Sequence, residues 1–181
     1  MIICLLGKKQ AGKDTIADYV TNNYASFVKI AFAEKIKDHV QSLYNFTYEQ
    51  VYDQNLKEVI NTKYNLTPRQ IMQMYGDSQR SIYNNVWVDY LFNIIDADDF
   101  GFDWIISDGR RMNEIVGATS RKGIIVKVIR EDYASIDQHS SETEVDSIPQ
   151  HRINEVISAK TGELDKLYKS IDRIINKYKV E

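Results

Sequence analysis

Directly behind an apolar stretch, Ile2 to Leu6, stands Gly7-Lys8-Lys9-Gln10-Ala11-Gly12-Lys13-Asp14-Thr15. The spacing is the G-x-x-x-x-G-K of a phosphate loop, with a strand-like run before it and helical periodicity (Ile16, Ala17, Val20) after it. Glycines let the backbone turn tightly and aim successive N–H groups at phosphate oxygens, at the positive end of the following helix. Lys13 would reach the β- and γ-phosphates and offset charge during transfer. Gly7, Ala11, Gly12, Lys13, Asp14 and Thr15 are therefore the expected ATP contacts. One position departs from the usual loop: Asp14 follows the lysine, and the hydroxyl that ordinarily meets Mg²⁺ comes one place later, at Thr15. Two jobs stay open for Asp14, contact with the metal beside Thr15 or action on the incoming acceptor.

The rest of the chain reads as strands alternating with helices, which argues for a parallel α/β sheet. Val28 to Phe32 is a second short strand, and Ala33 to Tyr44 returns to helical period. Thr47 to Ile95 is mostly helical; Thr67 caps a helix with Pro68 at its first position, and Gly76 is expected to end it. Trp104 to Ser107 and Gly123 to Ile129 are the third and fourth strands, and Val156-Ile157 the last. Arg130 to Arg152 lacks periodicity and reads as a mobile loop region, while Leu164, Leu167, Ile171, Ile174, Ile175 and Tyr178 form the stripe of a closing helix. The expected architecture is a three-layer P-loop NTPase fold in a single domain over 1–181. It would carry a helical substrate-binding insertion at about 45–97 and a lid at about 130–152.

Composition narrows the function. A net charge of −3 disfavours a partner with a phosphate backbone, so no direct nucleic-acid contact is expected. No apolar run approaches the ~18 residues of a membrane helix, and the apolar start is too short for a signal peptide. One cysteine cannot form an internal disulfide, which fits a reducing, cytoplasmic setting, and Cys4 reads as a small buried hydrophobe. No Asn-Lys-x-Asp guanine motif occurs, and the 181 residues are too few for a motor or helicase. A small kinase remains. Arg69 and Arg80 supply guanidinium forks for a phosphate monoester. Asp108 and Arg110 fall where the third strand ends, the place where open α/β sheets bind ligands; Asp108 would help hold Mg²⁺ through water.

The run from Gly7 to Asp18 resembles the phosphate loop of bacteriophage deoxynucleoside monophosphate kinases, in which Lys-Asp-Thr and a following alanine are characteristic. Ile36-Lys37-Asp38, Thr67-Pro68-Arg69, Asp108 to Glu114 and His139-Ser140-Ser141-Glu142 resemble that family in order and spacing. Ala11 stands where serine is frequent, and Gly109 to Met112 depart where a valine and an aromatic-proline pair are frequent. The resemblance implies transfer of the γ-phosphoryl of ATP, with Mg²⁺, to a deoxynucleoside 5′-monophosphate, in the host cytoplasm if the chain is phage-encoded. It implies that Lys9, Lys37 and Arg69 face the acceptor monophosphate and that Arg130 opens a lid that His139 and Glu142 help order; Ile36, Arg80, Asp108, Arg110 and Glu142 are the further expected substrate contacts. Lys13, Asp14 and Arg130 would carry the chemistry, and small nucleotides would be the partners. A water-excluding lid suits a reaction with which hydrolysis competes. The competing readings are a kinase of phosphomevalonate or dephospho-coenzyme A type and an ATP-holding regulatory protein. Monomer and homodimer both stay open.

Overall fold

The computed structural model describes residues 1–133 and 139–179. In chain order its first elements are β1 (Ile2–Leu6), α1 (Lys13–Asn23), β2 (Phe27–Ile30), α2 (Glu34–Tyr44), α3 (Tyr48–Tyr52), α4 (Pro68–Ile82) and α5 (Val86–Asp96). Then come β3 (Asp103–Gly109), α6 (Met112–Thr119), β4 (Ile124–Arg130), α7 (Ser140–Ser147), β5 (Glu155–Ala159) and α8 (Leu164–Lys179). The chain divides into two compact units, Met1–Ala31 with Phe92–Glu181, and Phe32–Leu91.

In the first unit the five strands form a parallel sheet in the order β2-β3-β1-β4-β5. Period-two alternation sends Ile3 and Leu5 of β1 into a core with Ile16, Ala17 and Val20 of α1 and Leu167, Ile171, Ile174 and Ile175 of α8. Cys4 and Leu6 point to the other face, also fully buried, as expected for a strand covered on both sides. Each such isoleucine or leucine contributes about 1.5–3 kcal/mol through burial. α6 packs on β1 and β4 and buries Ile115 and Ala118. At the outer end of α1, Asp172 of α8 accepts from Tyr19 (2.9 Å) and Tyr24 (2.7 Å), fastening the two helices. No helix among the described residues is long and apolar enough to cross a membrane.

The second unit has its own core of Ile36, Val40, Phe46, Val51, Ile71 and Trp87. Thr67 caps α4 as its sequence promised: its hydroxyl accepts from Gln70 N at 3.1 Å, while Gln70 Oε1 accepts from Thr67 N at 2.9 Å.

Several boundaries differ from the sequence reading. α4 does not end at Gly76 but runs on to Ile82. A Cβ at Gly76 would lie 3.0 Å from Ile36 Cδ1 and 3.1 Å from Arg80 Nη1, so this glycine serves close packing against α2. β2 stops at Ile30, two residues short of Phe32. The segment from Arg130 to Arg152 is not one irregular loop: it contains α7 and a 3-10 turn at Gln150–Arg152. Val145 and Ile148 are buried, and two apolar anchors in so polar a stretch leave little periodic signal.

Candidate active site

Parallel strands bring the ends of β1, β3 and β4 to one edge of the sheet, and the sequence-predicted residues of the first unit gather there. The loop from Gly7 to Gly12 leaves β1 and turns into α1 through Gln10 (φ 59°) and Gly12 (φ 101°). Ala11 N donates to Lys8 O at 3.2 Å, closing the turn. A Cβ at Gly7 would lie 2.7 Å from Val128 O, so only glycine lets the loop start this close to β4. Lys13, buried in the first turn of α1, donates from Nζ to Gly7 O (2.6 Å) and Lys8 O (2.7 Å). Its ammonium thus lies across the loop, on the carbonyl side of the backbone whose N–H groups would meet phosphate.

β3 reaches the same edge through an irregularity. Cys4 faces Ile106, but Leu6 faces Gly109, so Ser107 and Asp108 together stand opposite Leu5. The irregularity puts an extra residue into β3 beside Asp108 at the strand end. Gly109 follows with no room for a side chain: a Cβ would lie 2.7 Å from Cys4 Sγ, and its own carbonyl accepts from Gly7 N at 3.3 Å. Arg110 and Arg111 begin the turn into α6, their backbone N–H groups donating to buried Glu114 at 2.8 and 3.0 Å. Burial pushes the Cys4 thiol well above its ordinary range, and the charges of Glu114 and Asp108 add to this, against Lys13. Cys4 is therefore an inert member of the core, as its sequence setting implied.

Arg130, the last residue of β4, donates from Nη1 to Gln10 O (3.1 Å) and from Nε to Thr161 Oγ1 (3.0 Å). It connects the phosphate loop to the turn after β5. α7 also meets the loop, since Asp146 Oδ2 stands 2.6 Å from Lys8 Nζ. Glu144 of α7 accepts from Met112 N at 3.0 Å and from Arg111 Nη1 at 3.3 Å. His139 stands at the start of α7, its carbonyl accepting from Thr143 N at 3.2 Å. Glu142 belongs to α7, but its side chain lies outside the described residues.

The two acidic and hydroxyl positions after Lys13 are set differently. Thr15 is half-buried, whereas the Asp14 carboxylate is 68% exposed and pairs with Lys29 of β2 at 3.0 Å. Lys29 also meets Asp18, one turn further along α1, at 2.8 Å. Burial pulls the Lys29 ammonium down in pKa, but hydrogen bonds to Asp18 and Asp14 outweigh it and the net shift is upward.

In the second unit, Ile36 is a core residue of α2, and Lys37 pairs with Glu34 at 3.2 Å while its ammonium lies 4.5 Å from the Tyr52 ring centroid. Arg69, in the first turn of α4, holds Glu58 through Nε at 2.5 Å, and Arg80 pairs with Asp77 at 3.3 Å. Lys9 is half-buried in the phosphate loop of the first unit.

Lys8, Lys29, Glu144 and Asp146 were not singled out from the sequence. Their partners are 11 or more residues away or on another element, and no local pattern marks such pairs. Glu114 had a visible signal, an acid three residues after the N-cap position of a helix.

A family model for deoxynucleotide monophosphate kinase matches residues 1–58. Dephospho-CoA kinase from Campylobacter jejuni is similar in structure, with a TM-score of 0.52 at 11% identity, over 97% of this chain and 96% of that one. Shikimate kinase from Acinetobacter baumannii, in complex with shikimate, has a TM-score of 0.50 at 12% identity, over 99% of this chain and 95% of that one. No curated protein sequence matches the chain. The fold is the α/β fold that these two kinases share, and the sequence similarity to deoxynucleotide monophosphate kinase is confined to residues 1–58.

Proposed function

We propose that this protein transfers the γ-phosphoryl of ATP to a deoxynucleoside 5′-monophosphate, giving the diphosphate. The observation that carries the reading is the family match over residues 1–58, a span that includes the whole phosphate loop and its unusual Asp14. The loop's chemistry suits the assignment. Its backbone turns tightly enough at Gly7 and Gly12 for N–H groups to approach phosphate, and Lys13 lies across it. Lys13 exchanges its carbonyl partners for phosphate oxygens and offsets the charge of the group in transit. Arg130, held at the edge of the loop by Gln10, adds a second cation from β4.

Asp14, Thr15 and Asp108 offer hard oxygen donors, the set that suits Mg²⁺. When bound, the ion would offset the charge of the phosphate groups. A monophosphate acceptor is already largely ionised near neutral pH, with a second pKa of ~6 as for phosphorylated side chains, so it needs no strong base. Asp14 therefore serves placement of the metal or orientation of the acceptor. Lys37 and Arg69 of the second unit are the cations that receive the acceptor's phosphate in this reading. Lys37 and Arg69 are charge-matched to Glu34 and Glu58 in the meantime.

A coupled assay with ATP and the full set of deoxy- and ribonucleoside monophosphates, with dephospho-coenzyme A alongside, tests the reading. Turnover with one or more deoxynucleoside monophosphates is the expected result. Turnover with dephospho-coenzyme A alone, or ATP binding without transfer to any acceptor, would overturn it.

A further inference from the structure

The phosphate-loop motif extends to Asp18, yet nothing in the proposed reaction uses that residue. Asp14 and Asp18 are four residues apart on α1 and so stand on the same face, one turn above the other. Like charges at this spacing destabilise a helix by a few tenths of a kcal/mol. Both belong to the surface by exposure, 68% and 61%, but neither simply faces water. Lys29 reaches from β2 and places one ammonium against both carboxylates, at 3.0 Å from Asp14 and 2.8 Å from Asp18. Its own side chain is only 32% exposed, so its stem is packed where β2 and α1 meet and its head has little choice of position. A lysine held at its stem and by Asp18 is a fixed charge. The carboxylate it presents to is the one beside Lys13.

We propose that Lys29 is a positioning residue for the phosphate loop: anchored by Asp18, it sets the orientation and screens the charge of Asp14. The inference rests on the proposed role of Asp14 and deepens it. Asp14 sits one residue from the lysine that meets the polyphosphate, where an unscreened carboxylate repels the nucleotide and an untethered one samples several rotamers. Lys29 removes both penalties at once. Asp18 acts one step further back, by holding Lys29 in place when Asp14 turns to the metal.

Calorimetric ATP binding, in Mg²⁺ and in EDTA, separates this role from a merely structural tie between α1 and β2. In the parent protein Mg²⁺ should strengthen ATP binding. In Lys29→Met that gain should shrink at least five-fold, affinity in EDTA should also fall because Asp14 is no longer screened, and Lys29→Arg should restore most of both. Turnover should fall together with the gain, and Lys29→Met combined with Asp14→Asn should be no worse than Asp14→Asn alone. If Asp14→Asn loses turnover while Lys29→Met keeps both turnover and the Mg²⁺ gain, Lys29 does not position Asp14. Losses that multiply in the double variant would overturn the proposal equally. Full activity of Asp14→Asn would instead remove the role of Asp14 itself, an outcome read from that variant alone.

Discussion

Asp146 of α7 and Lys8 of the phosphate loop form an ion pair, with Oδ2 and Nζ 2.6 Å apart. Through it, a helix 138 residues away in sequence rests on the loop that would hold the nucleotide. Glu144, two residues before Asp146, fixes the same helix to the first turn of α6. The two contacts differ in setting. Lys8 and Asp146 are 37% and 62% exposed, whereas Arg111, the charged partner of Glu144, is 13% exposed. An exposed pair contributes at most about 1 kcal/mol and is screened by salt. Asp146→Asn should therefore leave thermal stability almost unchanged and should tighten ATP binding two- to five-fold at low ionic strength, because Lys8 gains freedom to meet phosphate. The gain should vanish near ~0.5 M salt, where the Debye length is only a few ångströms. Unchanged ATP affinity at low salt would show that Lys8 takes no part in binding.

Lys13→Ala should leave a folded protein whose phosphoryl transfer is reduced by at least ~10²-fold, the range expected when a positioned charge is lost from the transition state. Steady-state turnover of the purified variant checks this. Near-normal turnover would be incompatible with a phosphate-loop kinase.

Arg69 and Arg130 should divide by role. Arg69→Ala should mainly raise the KM for the monophosphate, since a ground-state phosphate contact is lost. Arg130→Ala should mainly lower kcat, because the cation at the end of β4 meets developing charge. Equal effects of both variants on both constants would contradict the division.

Glu114→Ala should destabilise the protein by about 1–3 kcal/mol, the cost of leaving buried donors without an acceptor. The buried carboxylate accepts from both Arg110 N and Arg111 N, so both amides should also exchange with deuterium faster than in the parent. Amide exchange localises the effect and urea unfolding measures it. Unaltered exchange at both positions would mean that another group satisfies the turn.

The Tyr24 hydroxyl is pushed up to about 12, first by burial and then by its hydrogen bond to Asp172. A free phenol titrates near ~10. The folded state thus holds this proton more tightly than the unfolded chain. The stability it contributes is complete below pH ~10 and is lost as pH rises through 12. Tyr19, Tyr52 and Tyr83 are pushed upward as well, so alkaline difference absorbance should show several late-titrating phenols, one fewer in Tyr24→Phe, with part of the late amplitude moved to lower pH in Asp172→Asn. Superimposable curves for Tyr24→Phe and parent protein would refute the assignment.

Local chemistry made much of this protein legible in its sequence. The unbroken apolar run of Ile2–Leu6 implied a strand covered on both faces, and Cys4 and Leu6 are indeed fully buried opposite the Ile3 and Leu5 side. The loop from Gly7 to Lys13, the Thr67-Pro68 helix start and the stripe of α8 all follow from interactions within a few residues, which spacing alone reports. Gly76 shows the limit of that kind of signal. A glycine within a helical pattern suggests a stop, but here the cost of about 1 kcal/mol in helix propensity is offset by the close approach of Ile36 to α4. Nothing near Gly76 in sequence announces Ile36.

The sequence by itself determined the class of fold and the loop proposed to bind phosphate, because periodicity, glycines and a lysine act over distances shorter than two helical turns. The tertiary structure alone decided what those groups meet. It brought Lys29 to Asp14 and Asp18, Asp146 to Lys8 and Glu144 to Met112, and it placed a bulge at Asp108 through the pairing of β3 with β1. The physical reason is common to all of them. Side-chain charges find partners by proximity in space, and that proximity comes from the packing of apolar faces, which constrains where a lysine ends up without leaving a pattern around it.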